Sequence, residues 1–206
     1  MSEAARPAGL ILAGGLSRRM GGGDKGLKRL GGETVLARIA ARLAPQVSPL
    51  LLNANGPAAR FGLDLPVVAD TLPGHPGPLA GLLAGLDHVA RDLPGARHLL
   101  TVPSDCPFLP RDLVARLAAA AGEAGAAYAV SGGREHPVVG LWPVAARVLL
   151  RRLLVEEDER RVMRWVRGMG AVPVEWPATP LDPFLNLNTP DDLLAAERLL
   201  AAYPAL

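Results

Sequence analysis

The chain has 206 residues, half of them apolar, with 22 lysines and arginines against 20 acids and a net charge of +2. That apolar share excludes a disordered chain, and the near-even charge balance excludes the basic footprint of a nucleic-acid binder. The single cysteine, Cys106, excludes an internal disulfide or a Cys-rich metal site, and a reducing compartment suits it. The length suits one α/β domain over 1–206. Aromatics are only 4% of residues, so the core must rest on Ala, Leu and Val. The apolar run 9–13 is too short for a secretory segment and passes directly into glycines. Ser17-Arg18-Arg19 has the letters of a twin-arginine signal, but Met20 and three glycines follow it, not an apolar stretch. With no run of 18 apolar residues to span a bilayer, a cytoplasmic protein without membrane contact is expected.

Strand and helix patterns alternate along the first half. Residues 9–12 read as a strand that ends in glycines, and 33–43 carry apolar side chains at the spacing of a helix face. Strands are expected at 47–52 and 66–69, the latter delivering Asp70, then a helix at 79–89. A strand at 98–102 delivers Ser104-Asp105, and a helix at 112–121 closes at Gly122. Farther on, 126–130 and 137–142 read as strands around a Gly132-Gly133 turn. Helices are expected at 144–154 and 159–169 and a strand at 172–176. Thr189-Pro190-Asp191-Asp192 is a helix start, with an N-cap, a proline at N1 and acids at the positive end of the dipole. The alternation implies an α/β fold with a mostly parallel sheet, helices on both faces and no long linker.

The segment 12–25 follows the first strand, and ligands of open α/β sheets sit beyond the carboxyl ends of strands. Its five glycines let the backbone approach an anion, and Arg18, Arg19 and Lys25 add positive charge suited to phosphate oxygens. The Walker pattern fails, because Lys25 is preceded by Asp24 and followed by Gly26. The dinucleotide fingerprint matches by letter at Gly21, Gly23 and Gly26. It begins too far after the strand, however, and no acid lies between Glu33 and Asp64 to take a ribose.

What is present is Leu12-Ala13-Gly14-Gly15, then Arg19-Met20-Gly21, then Asp24-Lys25. This order resembles the signature of the nucleotidyltransferases, and in particular that of the molybdenum cofactor guanylyltransferase family. Further segments are similar to that family: Asn53-Ala54-Asn55, Asp70, Gly77-Pro78-Leu79-Ala80-Gly81, Ser104-Asp105-Cys106-Pro107-Phe108, Glu135-His136-Pro137, 159–163 and Asn186-Leu187-Asn188-Thr189-Pro190. Together they span residues 10 to about 195.

The resemblance implies a three-layer, doubly wound, Rossmann-like fold of the nucleotide-diphospho-sugar-transferase type. A nucleotide-binding half would cover about 7–122 and an acceptor-binding half about 123–206. It implies GTP and molybdopterin as substrates, with molybdenum-insertion proteins and molybdoenzyme chaperones as further partners. The nucleotide site would comprise Leu12, Ala13, Gly14, Gly15, Lys25, Asn53, Asp70, Pro78, Leu79, Gly81 and Asp105. The Gly14-Gly15 pair is the guanine form, where cytosine-selecting relatives carry Ala-Gly. His136, Arg161, Asn186 and Asn188 would meet the acceptor. Asp105, at the end of a strand, is a hard oxygen ligand suited to Mg²⁺, with Asn188 as a second ligand or its support. Arg19, Lys25 and Asp105 would be catalytic.

The implied chemistry is in-line attack of the acceptor's phosphate on the α-phosphorus, which needs positioning and charge neutralisation but no enzyme nucleophile. Accordingly, Cys106 reads as a small buried residue, Trp142, Trp165 and Trp176 as packing, and His75, His88 and His98 as loop or surface residues without metal-ligand spacing. Two alternatives stay open on the sequence. One is a CTP-dependent molybdopterin cytidylyltransferase or another sugar- or alcohol-phosphate nucleotidyltransferase; the other is a GTP-binding adaptor that delivers cofactor.

Overall fold

The computed structural model describes residues 6–13, 25–72, 77–122 and 125–203. Seven strands form one sheet: β1 (Ala8–Leu12), β4 (Leu50–Asn53), β5 (Val67–Val68), β6 (His98–Pro103), β7 (Ala127–Ser131), β8 (Arg134–Pro143) and β9 (Val172–Trp176). Their order is β5-β4-β1-β6-β8-β7-β9. β1 pairs in parallel with β4 and β6, β4 with β5, and β7 with β9. Only β8 runs antiparallel to its neighbours. A small antiparallel pair, β2 (Arg29–Leu30) with β3 (Glu33–Thr34), stands apart.

Alternation along each strand divides the core in two. Ile11, Leu52, Leu100 and Val102 face one side, with α1 (Val35–Leu43), α3 (Leu113–Ala121) and α6 (Pro190–Ala202). Leu10, Leu51 and Leu99 face the other, with α2 (Pro78–Asp92), α4 (Arg147–Val155) and α5 (Val162–Gly168). The architecture is therefore the expected three-layer α/β sandwich. No helix among the described residues is long and apolar enough to cross a membrane.

Most elements fall where the sequence places them, and the departures have local causes. Residues 33–34 extend rather than start a helix. They pair with β2, and Thr34 caps α1 through Oγ1, which accepts from Ala37 N at 3.1 Å. The strand expected from residue 47 begins at Leu50, after a cis Ser48–Pro49 bond. The strand expected from residue 137 begins at Arg134, across a two-residue turn with Gly132 and Gly133 at φ +53° and +74°. Pro137 cannot donate to a ladder, and the pairing accommodates it by a register shift: Tyr128 faces Gly140 while Ala129 faces His136. The helix expected from residue 159 begins only at Val162. Glu159 accepts from the Arg161 backbone N–H at 2.9 Å, a local bond that competes with helix formation. The last helix carries a full capping box between Thr189 and Asp192.

Helix α2 lies close on β1 because Gly85 has no side chain. A Cβ there would overlap Leu10 Cδ2 and stand 3.0 Å from Leu99 Cδ2, both wholly buried. Gly85→Ala gains at most about 1 kcal/mol of helix propensity, against an overpacking cost of about 1–3 kcal/mol. The expected outcome is a net loss of stability in urea unfolding, with activity per folded molecule retained.

Candidate active site

The carboxyl ends of β1, β4, β5, β6 and β7 face the same way, and the start of the antiparallel β8 joins them. At the end of β1, Ala13 N donates to Asn53 O at 2.8 Å and Leu12 O accepts from Ser104 N at 3.1 Å. These backbone groups of Leu12 and Ala13 therefore lock β1 to the turns after β4 and β6. Gly26 lies against the second of those turns: a Cβ on it would meet Ser104 O at 3.4 Å. The 3-10 turn Lys25–Leu27 is thus seated beside Ser104 and Asp105. The Lys25 side chain, Gly14, Gly15, Arg18, Arg19 and His75 lie outside the described residues.

Asn53 is 2% exposed. Its amide donates to Val68 O at 3.0 Å and to Asp70 Oδ1 at 2.9 Å, so both of its hydrogens are used within the protein. Asn55 completes the clamp. Its Nδ2 donates to Asp70 Oδ2 at 2.9 Å, and its Oδ1 accepts from Asp70 N at 3.0 Å. The two asparagines therefore orient one carboxylate at the sheet edge. Asn55 was legible only as a neighbour of Asn53, because nothing in its spacing reveals that Asp70 lies across from it. Gly81, in the first turn of α2, covers Asn53: a Cβ would overlap its Oδ1 and stand 2.7 Å from its Cγ. Pro78 opens α2 and Leu79 is buried in the core behind it.

Asp105 follows β6. A strap formed by residues 182–188 crosses the carboxyl edge to reach it. Asn186 Nδ2 donates to Asp105 Oδ1 at 3.0 Å, and Leu187 N donates to Asp105 O at 2.9 Å. Cys106, buried beside it, donates weakly to Phe184 O at 3.6 Å. Burial and the adjacent Asp105 push its thiol pKa up, so it is a packing residue and not a nucleophile. Asn188 is exposed, and its backbone N–H donates to the cap residue Asp192 at 2.9 Å.

The strap also reaches His136. Asp182 Oδ1 accepts from Ser131 Oγ at 2.7 Å and from Phe184 N at 2.9 Å. Ser131 Oγ in turn lies 2.8 Å from His136 Nε2, and the Phe184 ring is 5.0 Å from the imidazole. Ser131 sits between the acid and the imidazole and is wholly buried, so the trio is not a nucleophilic triad. The buried tryptophans pack: Trp142 lies 4.5 Å from Trp165 and donates to Thr101 Oγ1, and Trp176 meets Phe184 edge-on.

Arg161 stands at the N-cap of α5. Its guanidinium donates twice to Glu159, at 2.9 and 2.7 Å. Asn186 and Arg161 thus both have protein partners, while the structure gathers Asp105, Asn186 and His136 around one strap.

Among the described residues, no group of three or more His, Cys, Asp or Glu side chains converges. The described residues therefore offer no full protein shell for a metal. A hard cation that takes one carboxylate and completes its shell with phosphate oxygens and water fits Asp105.

Hydrogen bonds from the Arg161 side chain and backbone lower the Glu159 pKa from 4.5 to about 2. A depressed folded-state pKa contributes stability above the unfolded value that is lost as pH falls toward the folded one. The stability difference between the wild type and Glu159→Gln should therefore be full above about pH 4.5 and shrink between there and about pH 2. Denaturant melts across that range test this, and a difference that does not change with pH would contradict it.

The family model described as "MobA-like NTP transferase domain" matches residues 9–171. A molybdenum cofactor guanylyltransferase of Bradyrhizobium sp. is 57% identical, covering 94% of this chain and 92% of its own. One from Rhodopseudomonas palustris (strain HaA2) is 53% identical over 99% of this chain and 97% of its own. Among solved structures, the molybdopterin-guanine dinucleotide biosynthesis protein A of Archaeoglobus fulgidus shares the fold, with TM-score 0.74 at 21% identity, covering 95% of this chain and 99% of that one. Motifs, fold and relatives agree along nearly the whole length: the chain belongs to the molybdenum cofactor guanylyltransferase family of nucleotidyltransferases.

Proposed function

We propose that this enzyme transfers GMP from GTP to molybdopterin and releases pyrophosphate. The observation that carries the reading is the 57% identity, over 94% of the chain, to a guanylyltransferase of that cofactor. The sheet edge supports it with an oriented carboxylate at Asp70, a second one at Asp105, and the Lys25–Leu27 turn seated against Ser104. In this reading the half of the chain up to about residue 122 holds the nucleotide and the half from about 123 holds the acceptor.

Guanine offers N1–H and N2–H donors, and Asp70, held by Asn53 and Asn55, is the acceptor group that suits them. Gly14, Gly15, Pro78, Leu79 and Gly81 are the further nucleotide-binding residues of this reading. An oxygen of the acceptor's terminal phosphate forms a bond to the α-phosphorus. The bond from that phosphorus to the α–β bridging oxygen breaks, and pyrophosphate leaves with the bridging oxygen. Arg19 and Lys25 neutralise the charge that gathers on the leaving group. Asp105 is the residue that would hold Mg²⁺, which when bound polarises the α-phosphate. Asn186 fixes the carboxylate's rotamer, and His136, Arg161 and Asn188 line the acceptor side. All substrates are small anions of the cytoplasm, and a cytoplasmic location follows from this reading. Molybdenum-insertion proteins and molybdoenzyme chaperones are the partners it implies.

Pyrophosphate release should be measured with each of the four nucleoside triphosphates, Mg²⁺ and molybdopterin. GTP is expected to dominate, with guanylate incorporated into the pterin; a preference for CTP would overturn the guanine assignment. Asp105→Ala should keep the circular dichroism of the wild type and lose on the order of a hundred-fold or more in turnover. Full turnover in that variant would sink the metal assignment.

A further inference from the structure

The Ser131 hydroxyl has one hydrogen, and its bond to Asp182 Oδ1 at 2.7 Å consumes it, because an ionised carboxylate only accepts. The 2.8 Å contact between Ser131 Oγ and His136 Nε2 must then carry the imidazole's hydrogen. This sets the tautomer: Nε2 is protonated and Nδ1 carries the lone pair. Burial lowers the pKa of His136 and Arg134 adds to that, while Asp182 and Glu175 act in the opposite direction.

Nδ1 has no hydrogen-bond partner among the described residues. The residue as a whole is 7% exposed. The ring is held on three sides. Ser131 takes one nitrogen, Phe184 packs at 5.0 Å, and the register shift of β8 against β7 sets His136 opposite Ala129. His136 lies near the start of β8, at the end of the sheet that carries Asp105, and the strap residues Asp182, Phe184 and Asn186 link the two.

We infer that Ser131 and Asp182 are positioning residues that fix His136 as the Nε2–H tautomer, so that Nδ1 accepts a hydrogen bond from a ring N–H of the heterocyclic acceptor substrate. The identity of that substrate rests on the proposed function; the tautomer does not. A buried site that offers an acceptor discriminates against a ligand without the matching N–H, because the nitrogen is then left unsatisfied.

The test is a pair of measurements on the full chain. Long-range ¹⁵N–¹H correlation spectra report histidine tautomers directly, and only four histidines must be assigned. The wild type should show His136 as Nε2–H. Asp182→Ala releases the Ser131 hydrogen to turn toward Nε2 and should convert the ring to Nδ1–H. Asp182→Asn keeps Oδ1 as acceptor for both Ser131 and Phe184 and should retain the wild-type tautomer. In guanylyl transfer, Asp182→Ala should raise the KM for the acceptor about ten-fold, with the KM for GTP near that of the wild type and Asp182→Asn restored. A wild-type Nδ1–H ring would overturn the inference, as would an unchanged acceptor KM in a variant whose tautomer has switched. If Asp182→Ala does not fold, Ser131→Ala replaces it, with loss of the single Nε2–H tautomer and the same rise in KM expected. If the wild type transfers no guanylate at all, the proposed function fails, whereas active enzyme with an unmoved acceptor KM fails this inference alone.

Discussion

The contact on which the site depends is the seating of the 182–188 strap on Asp105. Asn186 holds the carboxylate and Leu187 holds the backbone, from residues 81 and 82 positions later in the chain. Asp105 itself is a turn residue at the end of a parallel strand, and the strap adds a side-chain and a backbone hydrogen bond to it. With the strap in place, one carboxylate has one direction, which is what a phosphoryl-transfer site requires when positioning supplies most of the rate. The strap is in turn fixed at both ends. Asp182 bonds Ser131 on β7, and the capping box of α6 gathers the Asn188 and Thr189 backbone N–H groups onto Asp192. α6 also holds the β2–β3 hairpin, where Gly31 N donates to Glu197 at 2.9 Å, and that hairpin follows directly on the Lys25–Leu27 turn.

The same logic of clamped carboxylates recurs at Asp70. Two asparagines and the absence of a side chain at Gly81 fix it. In each clamp a neutral side-chain amide donates to the carboxylate. The outlying pair of Glu159 and Arg161 works differently: α5 begins at Val162, three residues later than its sequence pattern, and the guanidinium is held by a carboxylate.

Much of this was legible in the sequence, for physical reasons. Strand β9 and the capped start of α6 were readable because their signals are local: a short apolar run in one case, Thr-Pro-Asp-Asp in the other. Asp70 and Asp105 were readable as candidates because each follows an apolar strand and falls in a segment that resembles the family's. Their holders were less so. Asn55, Ser131 and Asp182 act across 15 to 51 positions, and no periodicity encodes such contacts. The extended state of Glu33 and Thr34 was hidden by the helical spacing that begins directly after them at Val35, and the true length of β8 by Pro137, which usually ends a central strand and here sits at a register shift.

The most direct test of the strap's role is single-turnover guanylyl transfer by Asn186→Ala, with nucleotide affinity measured in parallel. A hydrogen bond to a charged group is worth about 1.5–3 kcal/mol, or on the order of ten- to a hundred-fold in rate. The expected result is a loss of that size in the transfer step, with GTP affinity and thermal stability close to those of the wild type. Transfer at the wild-type rate would contradict the view that the strap sets the geometry of Asp105.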